Sequence, residues 1–492
     1  MTDPTSENLH GDIRIAGRHI PPIAYALPLS LLCLGVYAHE PWRDEIQAWL
    51  MARDMDIPAL IANAGLEGHP IGWHLLLKLF ISLGLPFEVL YPLGFCFTLV
   101  AAAFLIRDTS LGTGGKILIL CSPAFILLGI EARPYSLIVL LLILHARLHP
   151  RRNAFPFAYA LIPGVLSQLM VLCLPYACIM AGRRLYETVC GKAGFRACLS
   201  SLPPFFLIGF ALFQLIPPAD KASLMLEARF AALHSDLGAV SLLSPLDLAA
   251  AFFALPFAAA WFAMLYKTDP ALALCAAGSA LFALFIDLCV YPLSTCHWYL
   301  LSGILVAVTL IVLNGIKNGE FPGRGGKIAA LPAYPLLLAC LFSYPTGAVE
   351  LYKEISLPSS NLPAASLFVR NRLAGTPTAA FTMARICPLL KDMPGKQFWS
   401  PVNMRWGTFA VFDAERQKKL NMSAEQAASI ILEHCPEKRP AVILSLPWEK
   451  AGESGYAAVL ELSAPTVHNE VFYIYLPTEA NDIRAPLPHT GE

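Results

Sequence analysis

The residues best suited to chemistry stand together in one polar stretch, His39-Glu40-Pro41-Trp42-Arg43-Asp44-Glu45-Ile46-Gln47-Ala48-Trp49, directly after an apolar run from Ile20 to Ala38. An adjacent Asp44–Glu45 pair at the mouth of a membrane segment could take a proton, hold a metal ion, or do both. A carboxylate partly desolvated at an interface has a raised pKa, which suits removal of a proton from a hydroxyl. The plainer reading is a solvated helix start, because acidic residues are favoured at helix N-termini. Ile46, Trp49 and Leu50 fall on one face at helical spacing, and Pro41 suits a first helical turn.

Other polar clusters sit at similar breaks in apolar sequence. Glu67-Gly68-His69-Pro70 reads as the opening of a second surface helix. His69 could donate to a phosphate or ligate a metal beside Asp44; otherwise it is an incidental His at a capped start. His74, five positions on, does not share a metal-binding helix face with it. Glu131-Ala132-Arg133-Pro134 interrupts the apolar run from Ile117 to Leu148. The Arg133 guanidinium is a fork of donors matched to phosphate, and its alternative role is a local pair with Glu131 that closes a turn. His297, in Cys296-His297-Trp298-Tyr299, either contacts a head group or belongs to an interfacial aromatic anchor. Asp287 lines a cavity or reaches the surface. Gln168 and Gln214 are expected to bond across helices. Asp220 follows Pro217-Pro218-Ala219 in a second polar loop and joins Glu67 and Glu131 as a supporting carboxylate. The two Gly-rich stretches ending at Lys116 and Lys327 lack P-loop spacing or its Ser/Thr. Asn421-Met422-Ser423 fits a glycosylation acceptor pattern, and there is no Ser-centred nucleophile elbow.

The elements that position these residues follow from composition. The chain has 492 residues, 56% hydrophobic and 14% charged, with 35 basic and 35 acidic side chains. Average soluble chains carry about 25% charged residues, so a polytopic α-helical membrane protein is the expectation, and the balanced charge gives no support for nucleic acid as a partner. Basic clusters mark cytoplasmic loops: Arg147 to Arg152, Arg183-Arg184 through Arg196, and Lys317 through Lys327. Residues 39–69 carry six acidic and two basic side chains and read as outside. One threading satisfies these signs. A cytoplasmic tail (1–19) precedes about eleven transmembrane helices within 20–343, near 20–38, 88–106, 116–130, 134–148, 154–168, 170–182, 201–216, 247–266, 270–291, 297–315 and 327–343. Outer loops occupy 39–87 and 217–246. The apolar segment 70–83 lies at the outer interface rather than crossing. From 344 to 492 the texture becomes that of a soluble extracytoplasmic α/β domain, with strand-like runs at Ala441-Val442-Ile443-Leu444 and Val471 to Tyr475 and a helix-like stretch from Ala424 to Glu433. Most of the 13 cysteines lie in apolar runs; Cys387 and Cys435 could pair if their domain is exported.

The first span followed by Pro-Trp-Arg-Asp-Glu (41–45), then Glu-Gly-His-Pro (67–70), then Glu-Ala-Arg-Pro-Tyr (131–135), resembles the GT-C glycosyltransferase superfamily. The nearest branch is the bacterial relatives of protein O-mannosyltransferases, which includes aminoarabinose and galacturonosyl transferases acting on lipopolysaccharide. The resemblance covers roughly residues 20 to 220, and the Asp44–Glu45 pair is its most specific element. It implies an inner-membrane enzyme that moves a sugar from a polyprenyl-phosphate donor to a glycolipid, polysaccharide or protein acceptor on the outer face, with inversion. Asp44 falls on the acidic residue that activates the acceptor. His69 stands where relatives often have a phosphate-binding Lys, and Arg133 falls on a recurring Arg. The Asp that often follows that Arg is missing here, and Glu131 could substitute. A divalent metal ion held by Asp44 and His69 is one cofactor these residues could take. The rival classes are a transporter or flippase for lipid-linked sugars, a polysaccharide polymerase or ligase, and a non-catalytic assembly protein; the last predicts that Asp44→Asn is harmless.

Overall fold

The computed structural model describes residues 25–191, 195–219, 259–290, 293–320, 347–358, 360–413, 419 and 422–479. The expected spans 247–266 (in most of its length) and 327–343, the outer loop 217–246 (nearly all of it), Asp220 and Asn421 lie outside these.

The N-terminal part is helical. In chain order the helices are α1 (Ala26–Ala38), α2 (Arg43–Asp54), α3 (Ile57–Glu67), α4 (Gly72–Ser82), α5 (Leu90–Ile106), α6 (Thr113–Leu120), α7 (Pro123–Ile130), α8 (Tyr135–Leu148), α9 (Pro156–Leu169), α10 (Leu174–Val189), α11 (Phe195–Ser200), α12 (Leu202–Gln214), α13 (Pro270–Phe285) and α14 (Thr295–Lys317). Among the described residues three helices are long and apolar enough to cross a bilayer: Phe87–Ile106, Pro270–Val290 and Thr295–Lys317. A fourth crossing is possible if α6 and α7, bent by 43° at their junction, act as one. This corrects the expected eleven crossings. Helix α1 has 13 residues, about 20 Å at 1.5 Å per residue, against a hydrocarbon core of about 30 Å. Helices α8, α9, α10 and α12 fall short by the same measure. Proline accounts for much of the segmentation: Pro123, Pro156, Pro203 and Pro270 each stand in the first turn of a helix, where the missing N–H costs nothing. At the α6–α7 break, Ser122 caps the second helix by accepting from the Phe125 N–H at 3.2 Å. Large apolar side chains such as Phe206, Phe213, Leu274 and Leu281 face outward from the bundle, as membrane association requires.

The C-terminal part carries a six-stranded mixed sheet. Its strands are β1 (Thr378–Phe381), β2 (Phe398–Ser400), β3 (Arg405–Gly407), β4 (Ala441–Leu444), β5 (Tyr456–Leu462) and β6 (Phe472–Pro477), in the order β3-β2-β1-β4-β6-β5. Strand β1 pairs parallel with β2 and β4, and the remaining pairs are antiparallel. Parallel strands covered on both faces read as unbroken apolar runs, which is the pattern of Ala441 to Leu444. One face carries Ala379, Phe381, Val442, Leu444 and Tyr475 against the helix Ala424–His434. The other face carries Ala380, Ile443, Phe472, Ile474 and Leu476.

That second face joins the two parts of the chain. Ile46, Trp49 and Leu50 of α2 and Trp73 and Leu77 of α4 belong to the same core as the strands and as helix Leu362–Arg372. Ile46 and Leu50 are fully buried, and burying each contributes about 1.5–3 kcal/mol. The helices of the 39–87 segment thus pack against the C-terminal domain through α2 and α4. They number three rather than two. The additional helix, α3, has legible signals: Asp56 caps it by accepting from the Ala59 N–H at 2.8 Å, Pro58 stands in its first turn, and Gly68 ends it at φ 77°. Gly72 at the start of α4 abuts the Gln168 carbonyl so closely that a Cβ would collide with it.

Candidate active site between the 39–87 helices and the C-terminal domain

Helix α2 begins at Arg43, two residues later than Pro41 suggests, with Trp42 as its N-cap. Successive helix positions point about 100° apart, so Asp44 and Glu45 have different fates. The Asp44 side chain is 47% exposed and pairs with Arg43 at 3.3 Å. The Glu45 side chain is fully buried. Its Oε1 accepts from the Ala132 N–H at 2.6 Å and from His39 Nε2 at 3.0 Å, and its Oε2 accepts from the Trp42 N–H at 3.4 Å. Glu45 is thus a clamp between α2 and the α7–α8 turn, which corrects its expected role as a second open base. Fully buried and holding three donors, this carboxylate is closed to solvent.

The same clamp brings up Arg133. Its Nη1 donates to the Asp44 carbonyl at 2.7 Å. Arg133 as a whole is half-buried. Three imidazoles, His69, His74 and His297, lie within electrostatic reach. Burial, with Arg133 adding to it, pushes the His69 pKa well below its usual value and that of His74 to about 4. Both rings are neutral at ordinary pH, and the Nδ1 atoms of both are buried without a protein hydrogen-bond partner. In His297, Nδ1 accepts from the Ser294 N–H at 3.1 Å, which leaves the ring proton on Nε2 as a donor. The site therefore combines one permanent cation with neutral imidazoles, arranged beside a half-exposed carboxylate.

Glu131 is held by the Cys296 thiol. Burial, reinforced by Glu45, raises its pKa from 4.5 to about 7. It does not pair with Arg133 to close the turn; Arg133 is turned to α2 instead. Glu67 to Pro70 does not open a helix but forms the turn between α3 and α4. Glu67 accepts from Gln47 and from Asn63, each at 3.5 Å, so it ties α3 to α2. Gln214 donates to Gln168 at 3.1 Å and accepts from the Ile71 N–H at 2.8 Å, so the expected cross-helix bond also anchors the start of α4. Asp287 accepts from the Leu293 N–H at 2.6 Å, two residues before α14 begins. Cys387 and Cys435 are both free thiols, so the envisaged disulfide is not formed.

Among the described residues no group of three or more His, Cys, Asp or Glu side chains converges at metal-binding distance. Asp44 is already paired with Arg43, and the nearby cation Arg133 opposes a second positive charge. The charge around Asp44 thus favours an anion over a second cation.

Sequence reading overlooked several participants. Gln47 forms a two-way amide pair with Ala410, donating to its carbonyl at 2.8 Å and accepting from its N–H at 3.0 Å. Lys78 caps the C-terminus of α2, donating to the carbonyls of Ala52 at 3.0 Å and Met55 at 2.6 Å. Glu470, buried in the C-terminal domain, accepts from the Arg43 N–H at 3.1 Å. Comparison with family models, with curated proteins and with solved structures gives no match.

Proposed function

We propose that this chain is a membrane glycosyltransferase that moves a sugar from a polyprenyl-phosphate donor to a hydroxyl acceptor on the outer side of the inner membrane, with Asp44 as general base. The reading rests on the juxtaposition of a half-exposed Asp44 carboxylate with the Arg133 guanidinium, linked through the Asp44 carbonyl at 2.7 Å. It also draws on the motif resemblance around residues 41–45, 67–70 and 131–135.

In this mechanism the Asp44 carboxylate takes the acceptor hydroxyl proton. The acceptor oxygen forms its bond to the anomeric carbon as the bond from that carbon to the phosphate oxygen breaks, and configuration inverts. The ring passes through an oxocarbenium-like state. The departing lipid phosphate gains negative charge, which Arg133 stabilises while His69 and His297 donate hydrogen bonds. A fixed Arg fork suits phosphate. Neutral imidazoles add donors without adding charge that would hold the product.

The test is direct. Membranes holding wild-type or Asp44→Asn protein are given polyprenyl-phosphate sugars, and surface glycolipids, polysaccharides and glycoproteins of a deletion strain are compared by mass with those of the complemented strain. A sugar lost on deletion and restored by wild type but not by Asp44→Asn supports the reading. Restoration by Asp44→Asn removes Asp44 as the base.

A further inference from the structure

We propose that His39 is a positioning residue: bridged between Glu45 and Glu354, it locks α2 onto the Glu131–Arg133 turn and makes the spacing of Asp44 and Arg133 depend on the seating of the C-terminal domain. The proposal rests on the reading of Asp44 and Arg133 given above.

His39 directly follows α1 and is buried. Its two ring nitrogens face two different carboxylates. Nε2 lies 3.0 Å from Glu45 Oε1, and Nδ1 lies 3.3 Å from Glu354 Oε2. An ionised carboxylate only accepts, so satisfying both requires a proton on each nitrogen, that is, an imidazolium. Burial works against that charge, but Glu45 and Glu354 outweigh it and push the pKa up to about 10.

The chain of contacts continues on both sides. Glu45 takes the Ala132 N–H and so fixes the residue next to Arg133. Glu354 sits in the helix over 347–356, which leads toward the C-terminal domain and which Tyr299 of α14 ties down by donating to Glu350 at 3.1 Å. Glu354 Oε1 lies 3.8 Å from His468 Nε2. The His468 ring in turn stacks on Trp42 with centroids 4.1 Å apart and planes 7° from parallel. Trp42 caps the helix that bears Asp44. The circuit therefore closes through the C-terminal domain: lifting that domain removes His468 from Trp42 and Glu354. The other ionisable groups facing His39 are Glu40 on its own segment, Tyr91 of α5 with ring centroids 5.8 Å away, and Glu131. His468 also lies within electrostatic reach of His39, and burial lowers its pKa, so it does not stand in for the imidazolium.

The experiment measures amide exchange in the full-length protein in detergent micelles, with no substrate. His39→Gln and Glu354→Gln are compared with wild type at the amides of Trp42 and Ala132, and with Glu350→Gln as a control on the same helix. Exchange at Ala132 is expected to rise on the order of tenfold in both variants and to stay unchanged in the control. In transfer assays the same variants should lose on the order of 10- to 100-fold in kcat, with the donor KM within about twofold of wild type. Exchange at Ala132 that matches wild type in both variants overturns the proposal. Failure of both variants to fold also overturns it, because the role would then be purely structural. Wild-type protein that transfers no sugar refutes the functional reading instead, while the exchange result still decides the clamp.

Discussion

Asp44 and Glu45 are adjacent carboxylates, and the structure gives their neutralisation opposite consequences. In Asp44→Asn the side chain leaves an ion pair with Arg43 whose partners are 35% and 47% exposed; such a pair is worth about 0–1 kcal/mol. Its carbonyl still accepts from Arg133, so the local backbone is retained. Loss of a general base, by contrast, costs on the order of 10²–10⁴ in rate. In Glu45→Gln a fully buried charge is removed from His39, which keeps Glu354 alone, and Gln presents an amide N–H where a donor already points. Breaking a buried pair from one side costs about 3–5 kcal/mol. The assay is denaturant unfolding in detergent, followed by tryptophan fluorescence, alongside transfer from a polyprenyl-phosphate sugar. Asp44→Asn should unfold at the wild-type midpoint with kcat reduced at least about a hundredfold. Glu45→Gln should unfold at clearly lower denaturant. An Asp44→Asn protein as fragile as Glu45→Gln, or one with wild-type turnover, refutes the division of roles.

Arg133→Ala should weaken use of the lipid-phosphate donor by on the order of 10- to 100-fold in KM, read from donor titrations; an unchanged donor KM excludes Arg133 from phosphate binding. Gln47→Ala leaves the Ala410 N–H and carbonyl unpaired in the seam. At about 1–3 kcal/mol for each buried unsatisfied group, the C-terminal domain should loosen, seen as faster proteolysis near residue 410. Burial holds the Glu131 carboxyl at about 7 rather than 4.5. A carboxyl raised by folding favours the folded state below its unfolded pKa, and that contribution is lost as pH rises through the folded one. Stability should therefore fall between about pH 4.5 and 7, and Glu131→Gln should flatten that fall in a pH series of unfolding midpoints.

Much of the architecture is local and was readable. The unbroken apolar run from Ala441 to Leu444 forms a strand covered on both faces. The helical spacing of Ile46, Trp49 and Leu50 forms one buried face. Asp56, Pro58 and Gly68 marked a helix that hydropathy alone passed over. The count of crossings was not readable from hydropathy. An apolar run says that a segment avoids water, but burial inside a helical bundle and burial in lipid satisfy it equally. Only observed helix lengths separate the two.

The sequence by itself determined the membrane-like composition, the change of texture near residue 344, and the polar positions where chemistry could occur. Those depend on interactions within a few residues. The tertiary structure alone decided which carboxylate of the adjacent pair is open and which is clamped, because that depends on what packs against α2. His39 meets Glu354 across 315 positions, and Gln47 meets Ala410 across 363. No local pattern encodes such pairings; they exist only once the C-terminal sheet closes its apolar face over α2 and α4 and shuts water out of the seam between them.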